Sequence, residues 1–122
     1  MARTNIKRKN WLKKRVRTKL SLGRLGIYPR LVVFRSNKHI YGQLVDDISS
    51  TTILSASTKS KSLSKDMESV NKIEQSKLVG YEIASQIKKN KIEKIIYDRN
   101  GYKYHGRVKA LADAIREKGI NF

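Results

Sequence analysis

The first 24 residues contain ten Lys or Arg side chains and no Asp or Glu. The ten are Arg3, Lys7, Arg8, Lys9, Lys13, Lys14, Arg15, Arg17, Lys19 and Arg24. A segment this cationic repels itself, so we expect that it does not fold alone and that a polyanion orders it. Phosphate backbones are the commonest such partner, because each cation that replaces a condensed counterion releases it to solution. The segment is therefore predicted to be a nucleic-acid-binding arm.

The rest of the chain limits the class of protein. Residues 25–122 carry 18 basic and 10 acidic side chains, so the positive charge continues beyond the arm. About 98 residues suffice for one domain with a single hydrophobic core. The absence of Cys excludes a disulfide framework and any thiolate metal site. The longest aliphatic or aromatic run, 31–34, is far shorter than the roughly 20 residues of a membrane span, so we expect a soluble, intracellular protein.

The apolar residues of the arm leave several interpretations open. Leu12, Val16 and Leu20 recur at i, i+4 and i+8, so on a helix they form one narrow stripe among cations. Such a stripe also suits a helix on an anionic membrane or an organelle transit peptide, and a solvated charge run is a third interpretation. The membrane interpretation is weak because only Trp11 lies beside the stripe. We favour an RNA- or DNA-binding arm, with Trp11 packed on the domain and not stacked on a base.

Two β-rich runs, 31–35 and 39–46, flank Ser36, Asn37 and Lys38 and predict a hairpin. Asn37 and Lys38 are placed at the centre of the turn, which the tolerance of Asn for positive φ supports. The facing pairs are then Arg35 with Ile40, Val33 with Gly42 and Leu31 with Leu44. One face, made of Leu31, Val33, Ile40 and Leu44, is predicted to be buried. The other shows Val32, Phe34, Tyr41 and Gln43, with His39 at the turn.

The later elements complete one domain. A third strand over 51–57 and a Ser/Lys-rich loop over 58–69 precede a helix that begins at the Asn71 and Glu74 capping pair and ends at Asn90. Gly80 inside this helix is predicted to mark close approach to the sheet. A strand over 94–98 should pair in parallel with an earlier strand through a right-handed crossover. A last helix from Val108 is stopped by Gly119, after which residues 120–122 fold back on the core.

The predicted architecture is therefore a single-domain α/β two-layer sandwich. Its mixed four-stranded sheet consists of three antiparallel strands, a helix, a strand and a helix, preceded by a basic helical arm. The boundaries are 1–27 for the RNA-binding arm and 28–122 for the α/β domain.

An enzymatic alternative comes from this element order, which resembles that of ribonuclease H, where carboxylates at strand ends hold Mg²⁺. Asp46, Asp47 and Asp98 lie at predicted strand ends, but the first strand has no carboxylate. We therefore disfavour a nuclease and interpret Asp98 as part of a loop or cap ion pair. Neither a Walker loop nor a G-x-G-x-x-G motif occurs, and the two His are far apart. We predict no metal, no cofactor and no small-molecule substrate.

The most distinctive local cluster is Tyr104, His105, Gly106 and Arg107. Gly106 would let a backbone approach something bulky, and helix N-termini favour phosphate oxygens. Because Arg99, Lys103 and Lys109 flank the cluster, we predict a phosphate clamp. The alternative is a simple helix start at which His105 caps the helix or packs internally.

Four segments resemble one family in order along the chain. They are PRLVVFRSNKHIYGQLVDD at 29–47, SAST at 55–58, VGYEIA at 79–84, and YDRNGYKYHGRVKALADAIREKGINF at 97–122. They are similar to bacterial large-subunit ribosomal protein eighteen, the 5S rRNA-binding family, and the last segment is a highly specific signature. Asn100 departs from the Gly expected in a DRGG-like turn, but Asn tolerates left-handed geometry, so the turn should survive. The Ser/Lys-rich residues 59–65 lie where the family varies.

The resemblance implies a ribosomal α/β domain without catalysis. It implies binding of 5S rRNA and its attachment to 23S rRNA in the central protuberance, beside neighbouring large-subunit proteins. The location would be the cytoplasmic ribosome or an organellar ribosome of bacterial type, with no membrane partner. The predicted RNA-binding residues are the ten cations of the arm, then Arg30, Arg35, Asn37, Lys38, His39 and Tyr41, and finally Arg99, Lys103, Tyr104, His105, Gly106 and Arg107. A free-standing nucleic-acid chaperone using the same basic surface is the main alternative.

Overall fold

A computed structural model describes residues 2–23, 25–60 and 70–122, with side chains from Ile6 onward in the first range. Within them the elements are α1 (Ala2–Ser21), β1 (Arg30–Arg35), β2 (Ile40–Asp46), β3 (Thr51–Ser57), α2 (Lys72–Lys89), β4 (Ile96–Asp98) and α3 (Arg107–Glu117). This is the predicted order, and the α/β class is confirmed. The loop predicted over 58–69 falls largely outside the described residues. The strand β4 is shorter than predicted, since Lys94 makes only an isolated bridge to Asn121.

The four strands form one mixed sheet in the order β3-β2-β1-β4. β1 and β2 are antiparallel in the predicted register, with Arg35 opposite Ile40. β4 pairs in parallel with β1 and places Asp98 opposite Val32, as expected for a strand reached through a helix. Because β4 runs parallel to β1, the chain that leaves Asp98 continues beside the hairpin end of β1.

The hairpin turn contains the predicted residues but not the predicted conformation. The Ser36 N–H donates to the His39 carbonyl at 2.9 Å, and the Ser36 hydroxyl accepts from the His39 N–H at 3.2 Å. Asn37 is not among the residues with positive φ, so its tolerance of that conformation is not what fixes the register. The alternation of buried and exposed residues fixes it, since a slip by one residue would turn the apolar set to solvent.

The core lies between the inner face of the sheet and the two later helices. As predicted, this face buries Leu31, Val33, Ile40 and Leu44. The helices contribute Val79, Ile83 and Ile87 from α2, and Val108, Leu111 and Ile115 from α3. Burial of each such side chain contributes about 1.5–3 kcal/mol, so this apolar layer holds both helices on the sheet.

Two glycines set the closest approaches within this core. A Cβ at Gly80 would lie 2.7 Å from Ala114 Cβ and 2.8 Å from the Leu111 carbonyl oxygen, so α2 meets α3 there. The prediction that Gly80 approaches the sheet is wrong. The sheet approaches α2 at Gly42, where a Cβ would lie 2.5 Å from Ile83 Cδ1.

The predicted helix ends are confirmed. The Asn71 side chain accepts from the Glu74 N–H at 2.9 Å, and Asn90 is the C-cap of α2. Beyond α3, Gly119 has a φ of 91°, which turns the chain so that Ile120 is only 5% exposed.

The helix α1 lies outside these two layers. It is the 20-residue helix that the apolar stripe predicts, but the stripe does not join the core. Val16 is 60% exposed and Leu20 is 77% exposed. In the part of the chain that the structure describes, no helix combines the length and apolar character needed to cross a membrane.

Candidate nucleic-acid interface

Aromatic side chains connect α1 to the outer face of the sheet. The Trp11 ring centroid lies 6.2 Å from that of Phe34 and 5.8 Å from that of Tyr102, distances at which aromatic pairs attract. Phe34 lies 5.9 Å from Tyr41 in turn. The predicted packing of Trp11 on the domain is therefore confirmed. Phe34 nevertheless remains 45% exposed, so the helix covers only part of this face.

The turn after β4 supports the middle of α1. Asn100 and Gly101 have φ angles of 56° and 82°, so the turn survives with Asn, as predicted. The Asn100 Oδ1 accepts a hydrogen bond from Arg15 Nε at 3.0 Å. A Cβ on Gly101 would lie 2.7 Å from the backbone nitrogen of Arg15, so the helix backbone passes directly over Gly101. No sequence signal indicates this packing, because the residues lie far apart along the chain.

A cavity of about 310 Å³ opens between α1 and this turn. We call it the arm–turn cavity; it is lined by Lys14, Arg17, Thr18, Arg99, Gly101 and Lys103. Arg99 is held in place because its Nη1 donates to the Tyr102 carbonyl oxygen at 2.7 Å. Within residues 6–23, 25–60 and 70–122, none of the four cations pairs with a carboxylate. The cavity therefore carries positive charge that no described side chain balances.

A second basic cavity, of about 360 Å³, lies at the start of α3. We call it the α3 cavity; it is lined by Arg35, Lys72, Ile73, Lys103, His105, Gly106 and Arg107. The predicted clamp is thus divided between two cavities, and Lys103 lines both. Lys109 lines neither. Sequence reasoning missed Lys72, because only the packing of α2 on α3 brings it here.

Arg107 joins the start of α3 to the hairpin. Its Nη2 donates to the Ser36 carbonyl oxygen at 2.8 Å. Partial burial, and secondly the nearby charge of Arg35, lowers the pKa of the Arg107 guanidinium. Arginine remains protonated at neutral pH even so. The side chain is therefore a cation with a fixed orientation at the edge of the α3 cavity.

Inside the protein, Gly106 makes no close backbone contact, and His105 neither caps α3 nor packs in the core. Gly106 has φ 57° and ψ −122°, while a Cβ there would meet only Ile73 Cδ1, at 4.0 Å. The backbone angle, and not a close internal approach, therefore requires glycine. His105 is exposed, and no side chain caps α3. The alternative in which His105 caps the helix or packs internally is wrong.

Arg30 belongs to an internal ion-pair network. It donates to Asp47 from Nη2 at 2.9 Å and from Nε at 3.0 Å, and to Asp98 from Nη1 at 2.6 Å. The hydrogen bond from Arg30 lowers the pKa of Asp47, and the same bond raises the pKa of Arg30. Asp98 is an ion-pair residue, as predicted, but its partner is Arg30 on the neighbouring strand and the pair is not a loop or cap pair. We leave Arg30 out of the interface. Of the three carboxylates in the nuclease alternative, Asp47 and Asp98 share this guanidinium, whereas Asp46 accepts from the Ile48 N–H and the Ser49 hydroxyl.

Apart from Arg35, which lines the α3 cavity, the other predicted residues line neither cavity. Arg35 lies over the Tyr102 ring, 5.1 Å from its centroid. The ring nitrogen Nδ1 of His39 hydrogen-bonds Thr58 Oγ1 at 2.8 Å, and the Tyr104 hydroxyl accepts from Arg116 Nη1 at 3.1 Å. Arg35 and Tyr104 are exposed, and so are Lys7, Arg8, Lys9, Lys13 and Lys19 on α1 and Asn37 and Lys38 at the turn. The side chain of Arg3 and the whole of Arg24 lie outside the described residues.

A small two-layer domain with partly exposed aromatic rings, and with clustered cations that pair with no described carboxylate, is typical of the class of nucleic-acid-binding proteins. Comparison with known proteins identifies the particular family. Residues 2–122 match the family described as ribosomal L18 of archaea, bacteria, mitochondria and chloroplast. The chain belongs to this family, and the resemblance noted in its sequence is confirmed.

Individual relatives agree with the family match. The large ribosomal subunit protein uL18 of Sorangium cellulosum is 54% identical over 94 residues, which are 77% of this chain and 79% of that protein. The protein of the same name from Staphylococcus saprophyticus is 47% identical over 116 residues, 95% of each chain. The large ribosomal subunit protein uL18c of Oryza sativa is 52% identical over 96 residues, 77% of this chain and 56% of that protein.

Family membership makes the chain a ribosomal protein of the large subunit, a structural component of the translation machinery that binds rRNA. Its predicted location, the ribosome, is confirmed. The family is one of structural proteins and not of enzymes.

Proposed function

We propose that this chain binds 5S rRNA and helps to attach it to 23S rRNA in the central protuberance of the large subunit. Membership of the family supports a structural role there. One observation carries the choice of ligand: the arm–turn and α3 cavities share Lys103, and together they form one surface of cations that pair with no carboxylate among the described residues. Such a surface suits a polyanion whose phosphates repeat along a line.

The affinity comes mainly from phosphate contacts. Each cation that meets a phosphate releases a condensed counterion. Arg107 and Arg35 are oriented beforehand, by Ser36 and by the Tyr102 ring, so less side-chain entropy is lost on binding. Contacts of this kind position the RNA without reading its bases.

The outer face of the hairpin supplies the second kind of contact. A cavity of about 490 Å³ there is lined partly by Phe34, Tyr41 and Gln43. Unpaired bases stack on such rings, and each stacked base contributes about 1–3 kcal/mol. Neighbouring proteins of the large subunit would then bind beyond the surfaces that the RNA covers.

Competition between RNAs at near-physiological salt tests the proposal. We expect a one-to-one complex with labelled 5S rRNA that unlabelled 5S rRNA displaces and an equal amount of tRNA does not. Equal displacement by tRNA would refute the proposal in favour of a nucleic-acid chaperone. Shortening of the RNA only when Mg²⁺ is added would refute it in favour of a nuclease.

A variant of the α3 cavity links this affinity to the structure. Arg107→Glu should weaken 5S rRNA binding about 10–100-fold, the equivalent of one charge-assisted hydrogen bond. Lys88→Glu makes a charge change of the same sign and size at an exposed position of α2 outside both cavities. Its affinity should fall much less. Equal losses in the two variants, measured by filter retention, would show that only overall charge matters.

A further inference from the structure

We propose that α1 and the turn after β4 together build a binding site for one backbone phosphate. Lys14 and Arg17 come from the helix, and Arg99 and Lys103 come from the turn and the residue after it. The inference rests on the proposed function in taking RNA as the ligand. Beyond the proposed function, it identifies the side chains that share one phosphate. It also requires that the arm is docked on the domain.

The lining of the arm–turn cavity indicates an anion. Its ionisable members are four cations, and no carboxylate lines it. Lys14 and Arg17 are three residues apart on α1 and therefore lie on one helix face. Arg99 uses Nη1 to bond the Tyr102 carbonyl, which fixes the guanidinium and leaves its other donors for a ligand. A fixed guanidinium can grip a phosphate through two parallel hydrogen bonds.

The site exists only while α1 is docked, because its cations come from two distant parts of the chain. Asn100 is the positioning residue. It is only 7% exposed, it does not line the cavity, and its Oδ1 accepts from Arg15 Nε at 3.0 Å. Arg15 in turn lies over the Trp11 ring, 4.9 Å from the centroid. These interactions fix the distance of α1 from the turn and its rotation about its own axis. They therefore also fix the positions of Lys14 and Arg17.

Docking of the arm and binding of the phosphate must therefore strengthen each other. Two events that share a structural element are linked, and each raises the equilibrium constant of the other by the same factor. A substitution that loosens α1 without changing the charge should lower RNA affinity. A surface of independent cations would not respond to such a substitution.

Asn100→Gly is the test that leaves net charge unchanged. Glycine accepts the φ of 56° at this position and removes the acceptor of Arg15. We expect the affinity for 5S rRNA to fall about fivefold or more, the lower end of typical coupling between linked sites. The slope of log K against log salt should also fall, by about 0.9 for each duplex phosphate that the variant no longer binds. The circular dichroism spectrum checks that the domain stays folded.

A matched pair of lysines gives the second arm of the test. Lys13 and Lys14 are neighbours on α1, both exposed, but only Lys14 lines the arm–turn cavity. Lys14→Ala should weaken binding more than Lys13→Ala. Each lysine variant is then combined with Lys103→Ala. The losses of binding free energy should be non-additive for Lys14→Ala and additive for Lys13→Ala, because only Lys14 shares a phosphate with Lys103.

All variants are measured both with 5S rRNA and with an unrelated RNA duplex. Equal losses for the two lysines, or an unchanged salt slope in Asn100→Gly, would overturn the composite site even if the protein prefers 5S rRNA to tRNA. A different result is possible: 5S rRNA and the unrelated duplex bind with equal affinity, and the variants weaken the binding of each as expected. In that case the phosphate site is supported and the 5S-specific function is refuted.

Discussion

At the scale of single residues, Arg30 shows why charge alone does not identify an RNA contact. It is a cation in a basic protein, at the start of the hairpin, and the sequence places it among the predicted RNA-binding residues. Asp98 reaches it only because β4 pairs in parallel with β1, and Asp47 reaches it from the chain just beyond β2. Both carboxylates are visible in the sequence, but their common partner is not, since no local spacing brings the three together.

Arg30→Ala should therefore change stability and not phosphate binding. The Arg30 and Asp98 side chains are only 11% and 4% exposed, and removal of one partner of a buried pair costs about 3–5 kcal/mol. Urea unfolding measures the loss. Arg35→Ala is the control, because Arg35 is an exposed cation on the same strand. It should cost about 1 kcal/mol or less but lower the salt slope of RNA binding, which Arg30→Ala should leave unchanged.

The pH dependence of this loss has a definite sign. The bond from Arg30 lowers the pKa of Asp47 from its usual 3.8. A carboxyl with a lower pKa in the folded state stabilises fully above its unfolded value, and this contribution disappears as pH falls through the folded value. The difference between wild type and Arg30→Ala should therefore shrink in acid, below about pH 4. A difference that stayed constant down to about pH 2 would contradict an ionic origin.

At the scale of elements, local sequence patterns correctly predict the features that depend on interactions between residues close in sequence. The register of the hairpin follows from its alternation, and the start of α2 follows from the cap formed by Asn71 and Glu74. The packing of α1 on Asn100 and Gly101 depends on segments about 85 residues apart, and no periodicity reports such an arrangement. The prediction that Gly80 contacts the sheet fails for the same reason. A glycine within a helix indicates close approach to another element, but the sequence does not identify that element.

Gly80→Ala should destabilise the domain although alanine favours the helix. The intrinsic preference gains about 1 kcal/mol. The added Cβ would lie 2.8 Å from the Leu111 carbonyl oxygen, an atom of the α3 backbone that cannot rotate away. Overpacking typically costs about 1–3 kcal/mol and more where a backbone must move, so we expect a net loss of about 1–2 kcal/mol in urea unfolding.

Two further substitutions separate the causes. Ser85→Ala lies at an exposed position of α2 and should gain about 0.5 kcal/mol from helix preference alone. In Gly42→Ala, the added Cβ has only the end of the Ile83 side chain at close range. Because that side chain can change rotamer, the loss of stability should be smaller than in Gly80→Ala. A gain for Gly80→Ala equal to that for Ser85→Ala would show that α2 and α3 can separate freely at this point.

At the scale of the whole molecule, the most strongly charged segment is separate from the apolar core. Ten of the 28 cations lie in the first 24 residues, whereas the apolar core is drawn from the sheet, α2, α3 and the C-terminal residues. The kinds of residue at the interface could be predicted from the sequence, because cations, aromatic rings and a glycine before a helix are visible there. Their division into two cavities around Lys103 could not, since it follows from how α1 and α2 are placed.

Deletion of residues 1–24 tests this segregation and the proposed division of the chain at 27 and 28. Among the described residues of α1, only Thr18 is buried, so the remaining domain should stay folded and unfold cooperatively. Its circular dichroism spectrum should lose only the helical signal of α1. Its midpoint should fall modestly, because Phe34 and Tyr102 no longer pack on Trp11. RNA binding should weaken strongly, and the salt slope should fall by about 0.9 for each duplex phosphate that the arm had bound.

A charge-preserving control separates the cations from the apolar stripe. Replacing Leu12, Val16 and Leu20 by Ser keeps every cation and alters side chains that are 37%, 60% and 77% exposed. If the arm works through phosphate contacts, this triple variant should retain most of the affinity and the full salt slope, while the deletion reduces both. If instead the deletion keeps the wild-type slope, the arm does not bind RNA and its cations only keep the chain soluble. Loss of RNA binding in the triple variant, at an unchanged set of cations, would show that the apolar stripe itself is needed for binding and that phosphate contacts of the arm are not sufficient.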